Sequence, residues 1–240
     1  MLVRPGCACR ARRADESLMA HRRVAGIPSA VMEAISLRTD VFLLAHDDAG
    51  RLVGSEAGIG AGLAGATLIE LLLANRVAVA DGRLDVIDSA LTGDEESDAT
   101  LEAIAANTAP CGPRAWVSWI SHGAYDRVAD QLYTAGVVRR TTGRRLGLLP
   151  VQRCLPAEDE DLIRVRARVR YAIHGTQPPD PATAALCGLI RVLRLESSLL
   201  LSMPTSDLLL ALERMAGVNE ITVRQVTNAV EAVITAATYR

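Results

Sequence analysis

Ala57-Gly58-Ile59-Gly60-Ala61-Gly62-Leu63-Ala64-Gly65-Ala66-Thr67-Leu68-Ile69-Glu70-Leu71-Leu72-Leu73-Ala74 is the stretch on which the fold turns, and Glu70 is its only charge. A membrane-spanning helix needs about 20 apolar residues, and an acid near the bilayer centre costs roughly 3 kcal/mol. This run is shorter, contains an acid and has no aromatic belt. It therefore predicts a buried central helix, with Gly58, Gly60, Gly62 and Gly65 letting neighbouring helices approach closely. Gly58 to Gly62 also fits the start of a dinucleotide fingerprint, but no convincing upstream strand or downstream ribose acid accompanies it, so the packing role is preferred.

Composition agrees with a helical core. The chain has 240 residues, 50% of them hydrophobic, 3% aromatic, with Phe42 the single Phe. That apolar fraction excludes a mainly disordered chain. A core of Leu, Val, Ile and Ala suits packed helices better than a β-sandwich. Cys7, Cys9, Cys111, Cys154 and Cys187 are odd in number and widely spaced, which predicts a reducing, cytoplasmic setting rather than a disulfide framework.

Outward from the central run, Val41 to Ala45 is a short apolar segment closed by His46-Asp47-Asp48 and a turn at Gly50. Val77–Ala80 and Leu84–Ile87 flank Asp81-Gly82, the pair that tolerates the positive φ of a type I′ hairpin. Three helical stretches follow. The first carries Leu101, Ile104 and Ala105 on one face. The second runs from Pro113 to Ile120 with Pro113 in the first turn, and the third from Tyr125 to Ala135 with Val128, Leu132 and Ala135 aligned and Gly136 as the stop. Val137 to Leu149 predicts a second hairpin turning near Gly143. Helices over 159–173, 182–195 and 207–215 come next, and a last helix places Val226, Val230, Val233 and Ala237 on one face. The expected class is mainly α: a single-domain helical bundle over residues 31–240 with two or three short β-hairpins. Residues 1–30, with six scattered Arg and no helical period, predict a basic, disordered N-terminal arm.

The formal net charge of -2 argues against wholesale nucleic-acid binding, but charge is unevenly spread. Seven acids and no Arg lie between Asp85 and Glu102. Nine Arg stand against four acids between Arg139 and Arg170, a net of +5. One basic face on a near-neutral molecule fits contact with an anionic surface, and solvated helix faces are the competing explanation.

Enzyme signatures are missing: there is no Gly-x-Ser-x-Gly elbow, Walker loop or His-Glu-x-x-His pair. His21, His46, His122 and His174 are isolated, and Cys7-x-Cys9 with His21 is too sparse for a metal site. No catalytic residue, metal ligand or cofactor is expected. Asp47-Asp48 reads as a loop or cap, and Asp94-Glu95-Glu96 as a complement to a helix N-terminus.

Several pieces fall in a recognisable order: Leu43-Leu44-Ala45-His46-Asp47-Asp48 with Gly50, Gly62-Leu63-Ala64-Gly65-Ala66-Thr67-Leu68-Ile69-Glu70-Leu71, Asn75-Arg76-Val77, Thr92-Gly93-Asp94, Trp119-Ile120, Gly136-Val137-Val138-Arg139-Arg140 and Leu146-Gly147-Leu148. Over residues 37–156 this order resembles the Golgi phosphoprotein 3 family, in its bacterial branch. The resemblance implies a mostly helical, non-catalytic peripheral membrane adaptor. Eukaryotic members bind phosphatidylinositol 4-phosphate and the cytoplasmic tails of Golgi glycosyltransferases. Their headgroup pocket uses one Trp and three basic residues, and an apolar hairpin supports membrane contact or self-association. Counted from Gly62-Leu63, the Trp position falls on Ser55 and the first Arg on Ala64. Counted from Gly136, the other basic positions fall on His122 and Tyr125. None keeps the family's chemistry, since a phosphate calls for charge-assisted donors. Arg127, two residues past Tyr125, is a further headgroup candidate.

The membrane-contact candidates are Arg139, Arg140, Arg144, Arg145, Leu146, Leu148 and Leu149, with guanidinium groups supplying attraction and leucines shallow insertion. Against this, the leucines could cover the protein's own core. Two other functions compete with the adaptor reading. A winged-helix nucleic-acid module would use 125–135 as recognition helix, but Asp126 and Asp130 oppose phosphate there. A soluble interaction scaffold would form a homo-oligomer through surplus apolar surface near Ala182–Leu201. The expected setting is cytoplasmic, peripheral on the inner face of the membrane, with an unknown protein partner.

Overall fold

The computed structural model describes residues 36–106, 112–145, 149–175 and 177–238; the basic arm lies outside them. Among the described residues there are nine α-helices and two two-stranded antiparallel sheets. The mainly α architecture expected from composition is the one observed.

The central run forms helix α2 (Glu56–Leu73), and α1 (Leu37–Leu44) precedes it. Ser55 starts α2 as N-cap, its hydroxyl accepting from the Gly58 amide at 3.1 Å. α2 is long and apolar enough to cross a membrane, yet 67% of it is buried inside the fold. It packs against α1, α4 (Pro113–Ile120), α5 (Ala124–Thr134), α7 (Pro181–Leu193) and α9 (Ile221–Thr238). Its glycines make that crowding possible. A Cβ on Gly62 would lie 2.5 Å from Leu193 Cδ1, and one on Gly65 would collide with Val230 Cγ2.

A helix packed on most sides must neutralise the acid inside its apolar run, Glu70; its other acid, Glu56, is exposed in the first turn. Arg38, 5% exposed, donates from its backbone amide and Nε to Glu70, both at 3.1 Å. Its Nη2 reaches Asp94 Oδ2 at 2.5 Å. Asp94 also accepts from the Ser97 amide at 2.8 Å and from Gln131 Nε2 at 2.7 Å. One guanidinium thereby ties α1 to α2 and to the start of α3 (Glu95–Ala106), whose first turn Asp94 caps. Burial pushes the Glu70 carboxyl up while Arg38 pulls it down. A second buried acid, Asp40, meets Arg168 of α6 (Asp159–His174).

The first hairpin is as expected, β1 (Val77–Ala80) against β2 (Arg83–Val86) with positive φ at Asp81 and Gly82. The second differs. Gly143 is no turn residue; it pairs with Val151 inside β3 (Val138–Arg145), which runs antiparallel to β4 (Leu149–Pro156). Residues 146–148, which link the strands, lie outside the described residues, and the strands are eight residues each. One glycine does not end a strand whose pairing is continuous on both sides of it. Three small residues also leave their predicted faces. Ala105, Ala135 and Ala237 are exposed, at or near helix ends where the buried face runs out. α8 (Thr205–Ala216) completes the bundle, after a 3-10 turn at Glu196–Leu199.

The stretch expected to supply surplus apolar surface is mostly interior. α7 buries Ala184, Ala185, Leu186, Cys187, Leu189 and Ile190 at 1% exposure or less. A sequence run shows apolarity and not direction, so an all-round apolar helix is a core helix here.

Candidate functional site

The loop leaving α1 is tied down by local hydrogen bonds, with Asp48, Ala49 and Arg51 exposed. Asp47 accepts from the amides of Ala49 and Arg51, each at 2.9 Å, the loop role expected of it. Gly50, at φ 72°, presses on β4 so closely that a Cβ would lie 2.8 Å from the Cys154 carbonyl, and its own carbonyl accepts from Cys154 at 3.0 Å. This holds His46 beneath α5. His46 Nδ1 donates to the Phe42 carbonyl at 2.8 Å, so Nε2 is the lone pair that accepts from the Tyr125 hydroxyl at 2.9 Å. Burial lowers the His46 pKa and favours this neutral tautomer, and burial likewise raises that of Tyr125. The Phe42 and Tyr125 rings stack at 5.5 Å.

Tyr125 therefore turns its hydroxyl inward, and only its flank lines a surface cavity of about 480 Å³ at the converging N-termini of α2 and α5. The polar wall is Arg114, Ser118, Ser121 and His122; Glu56 and Asp126 add acids; Val233 and Ile234 of α9 form an apolar wall. His122 Nδ1 donates to the Ser118 carbonyl at 2.7 Å, leaving Nε2 as its remaining polar atom. α5 starts at Gly123 with no side-chain cap, so first-turn amides add partial positive charge. Arg114 was not singled out in the sequence. It lies one residue after Pro113 in an eight-residue helix, and no motif marks it.

His122 also lines a larger cavity of about 870 Å³ with Glu95, Glu96, Trp119, Arg127, Asp130 and Gln131. Arg127 is not available to a headgroup there. It forks onto Glu96 with two bonds of 2.8 Å, and donates to the carbonyls of His122 at 2.6 Å and Ile120 at 2.9 Å. It staples the α4–α5 corner to α3.

Of the five headgroup candidates, the fold brings His122 and Tyr125 to one cavity, beside Glu56 and Ala57, which follow Ser55. Ala64 does not belong to it. It is 0% exposed in the middle of α2, so it contacts no ligand. Ser55 is occupied as an N-cap.

The hairpin candidates also divide. Neighbours on a strand face opposite ways. Arg139 is exposed, while Arg140 turns toward α5, bonding Asp130 at 2.5 Å with its guanidinium 5.3 Å from the Tyr133 ring centre. Arg144, Arg145 and Leu149 occupy the far ends of β3 and β4, where only the backbone is described. Leu146 and Leu148 lie outside the described residues. A recognition-helix role for α5 fails on its charges: Asp126 and Asp130 stand on its exposed side, and its one Arg is held by Glu96.

Among the described residues no group of three or more His, Cys, Asp or Glu side chains could hold a metal ion. No curated protein matches the chain significantly. The family model for Golgi phosphoprotein 3 (GPP34) matches residues 37–237, from the first residue of α1 almost to the end of α9. With that match spanning the whole described bundle, the chain belongs to the Golgi phosphoprotein 3 family.

Proposed function

We propose that this chain is a non-enzymatic adaptor that associates peripherally with the cytoplasmic face of an anionic membrane, with phosphatidylinositol 4-phosphate as the headgroup implied by the family. The observation that carries the reading is the cavity at the N-termini of α2 and α5. Two positions that correspond to the family's headgroup-binding residues, His122 and Tyr125, meet there beside a new cation, Arg114. The family's original donors are replaced by Arg114, the Ser118 hydroxyl and the α5 first-turn amides, a set that favours one phosphate over several. Glu56 and Asp126 at the rim weaken anion affinity, so most attraction comes from outside the cavity, at the Arg139 face of the β3–β4 hairpin. Each exposed Arg near an anionic surface contributes about 1 kcal/mol.

Co-sedimentation with neutral vesicles, phosphatidylserine vesicles and vesicles containing phosphatidylinositol 4-phosphate tests this at low and high salt. Binding to the anionic vesicles is expected to fall with salt. Arg139→Ala is expected to weaken it about fivefold, from the ~1 kcal/mol per charge, with Arg140→Ala nearly neutral. Arg114→Ala is expected to remove any preference for the phosphoinositide. No pelleting with any vesicle would overturn the membrane reading.

A further inference from the structure

The outer side of α6 is a helical face without a partner among the described residues. Ile163 is 60% exposed and Tyr171 74%, and Ala167 between them is exposed as well. Glu160, Ile163, Ala167, Arg170 and His174 follow one another at steps of three and four, the heptad spacing of a helix–helix seam, and all five face solvent. The opposite side of the same helix buries Leu162, Val165, Val169 and Ile173, so α6 is already anchored in the bundle and presents this second stripe outward. At its edge, Arg166 Nε donates to the Ser198 carbonyl at 2.7 Å. That bond holds the segment in which Leu200, at φ 51°, keeps its side chain 57% exposed. A leucine in left-handed backbone with its side chain in water is doubly unfavourable unless something covers it.

The charges indicate what partners the α6 stripe. The start of α6 is acidic at Asp159, Glu160 and Asp161, and the rest carries Arg164, Arg166, Arg168 and Arg170. Arg164, Arg166 and Arg168 are held by Asp161, Asp48 and Asp40, while Arg170 has no ion pair among the described residues. We propose that this face is a two-fold interface between copies of the chain, with the α6 helices packed antiparallel. An antiparallel seam opposes the two alternating heptad positions. In the register that sets Glu160 against Arg170 of the second copy, Ile163 falls against Ala167 of that copy. Symmetry repeats both contacts. The large side chain fills the space left by the small one, and each end of the seam closes with opposite charges. An anionic membrane fits the same face less well, because Asp159 and Glu160 would meet lipid phosphate at one end.

A single helix seam buries less than the ~1,200 Å² of standard specific interfaces, so the dimer is weak and concentration-dependent. The test is sedimentation velocity on the full chain from about 10 μM to about 1 mM, a range that brackets weak self-association. The wild-type mass is expected to rise toward two chains. Glu160→Arg alone places two like pairs of Arg across the seam, and Arg170→Glu alone places two like pairs of Glu. Each should lower self-affinity by about tenfold or more, as like-charge juxtaposition costs several kcal/mol. The equimolar mixture of the two should dimerise again, because every opposed pair is then opposite in sign. Thermal unfolding of each variant alone confirms that it is folded. A wild type that stays at one chain at the highest concentration overturns the proposal. So does a mixture no more associated than its components, or variants that lose vesicle binding with self-association unchanged.

Discussion

Arg38 is the residue whose loss should show most sharply how α2 remains both buried and charged. It is 5% exposed, and its guanidinium faces Glu70 at 3.1 Å and Asp94 at 2.5 Å. Arg38→Ala leaves Glu70, four-fifths buried with a side chain 20% exposed, with only the backbone amide of residue 38, at 3.1 Å. Asp94 fares better, keeping Ser97 and Gln131 and standing 27% exposed. The cost is therefore that of one stranded buried carboxylate, about 3–5 kcal/mol at neutral pH, or much of a typical domain's stability. The pH dependence separates a stranded charge from lost packing. Without Arg38, burial raises the Glu70 pKa further. A carboxyl whose folded pKa lies above its unfolded value penalises the fold above that folded pKa, and the penalty is relieved as pH falls toward the unfolded value. Urea unfolding at about pH 7.5 and about pH 5 should thus show a smaller Arg38→Ala cost at the lower pH. The double variant Arg38→Leu/Glu70→Leu should recover most of the loss, since an apolar replacement of a buried ion pair is often neutral or better. A cost under ~1 kcal/mol, or one independent of pH, would refute the keystone role assigned to this pair.

Asp40 offers a related test. Burial raises its carboxyl from 3.8 to about 6, opposed by Arg168. That rise corresponds to a penalty of about 3 kcal/mol, fully present above pH 6 and relieved below the unfolded value. Asp40→Asn should gain stability relative to wild type as pH rises from about 4 to about 7.5, and parallel stability curves across that range would refute it. Gly65→Ala should destabilise by about 1–2 kcal/mol: the overpacking cost against Val230, which is 0% exposed, exceeds the ~1 kcal/mol gained in helix propensity. A raised melting temperature would show that α9 can move away from α2.

Local signals gave up the fold readily because each is complete within a few residues. Asp81-Gly82 fixes its turn through two positive φ angles, and Pro113 marks the first turn of α4 by lacking an amide to satisfy. The interior place of α2 is readable from the acid in its apolar run and from the missing aromatic belt, although by length and apolarity alone the helix could cross a membrane. Legibility failed wherever direction depended on a partner distant in sequence. Tyr125 looks like a surface hydroxyl until His46, 79 residues away, accepts from it. Ala64 aligns with a ligand-binding position, yet a helix crowded by five others leaves that position no surface. Gly143 suggests a turn, but strand pairing carries the chain past it.

The charge count is the most instructive case, because it bears on function. Nine Arg against four acids between Arg139 and Arg170 fit either one basic face or solvated helix faces. The fold brings in acids from outside that window. Asp130 takes Arg140, Asp48 takes Arg166 and Asp40 takes Arg168, while Arg164 closes on Asp161 within its own helix. Much of the apparent excess thus connects hairpin and α6 to α1, its following loop and α5. The cations left facing solvent include Arg139, on β3 of the hairpin, and Arg170, on the outer stripe of α6. They stand in different surroundings: Arg139 among exposed threonines on a strand, Arg170 on a heptad seam whose other end is acidic. A flat positive strand face suits a lipid surface, which asks for charge and no shape. A seam with both signs suits a surface of matching shape and opposite order, which a second copy of the same helix supplies. The proposed membrane contact and the proposed self-association therefore call on separate arginines, and a chain paired through α6 would present two copies of its hairpin to a membrane, raising avidity where each site alone is weak.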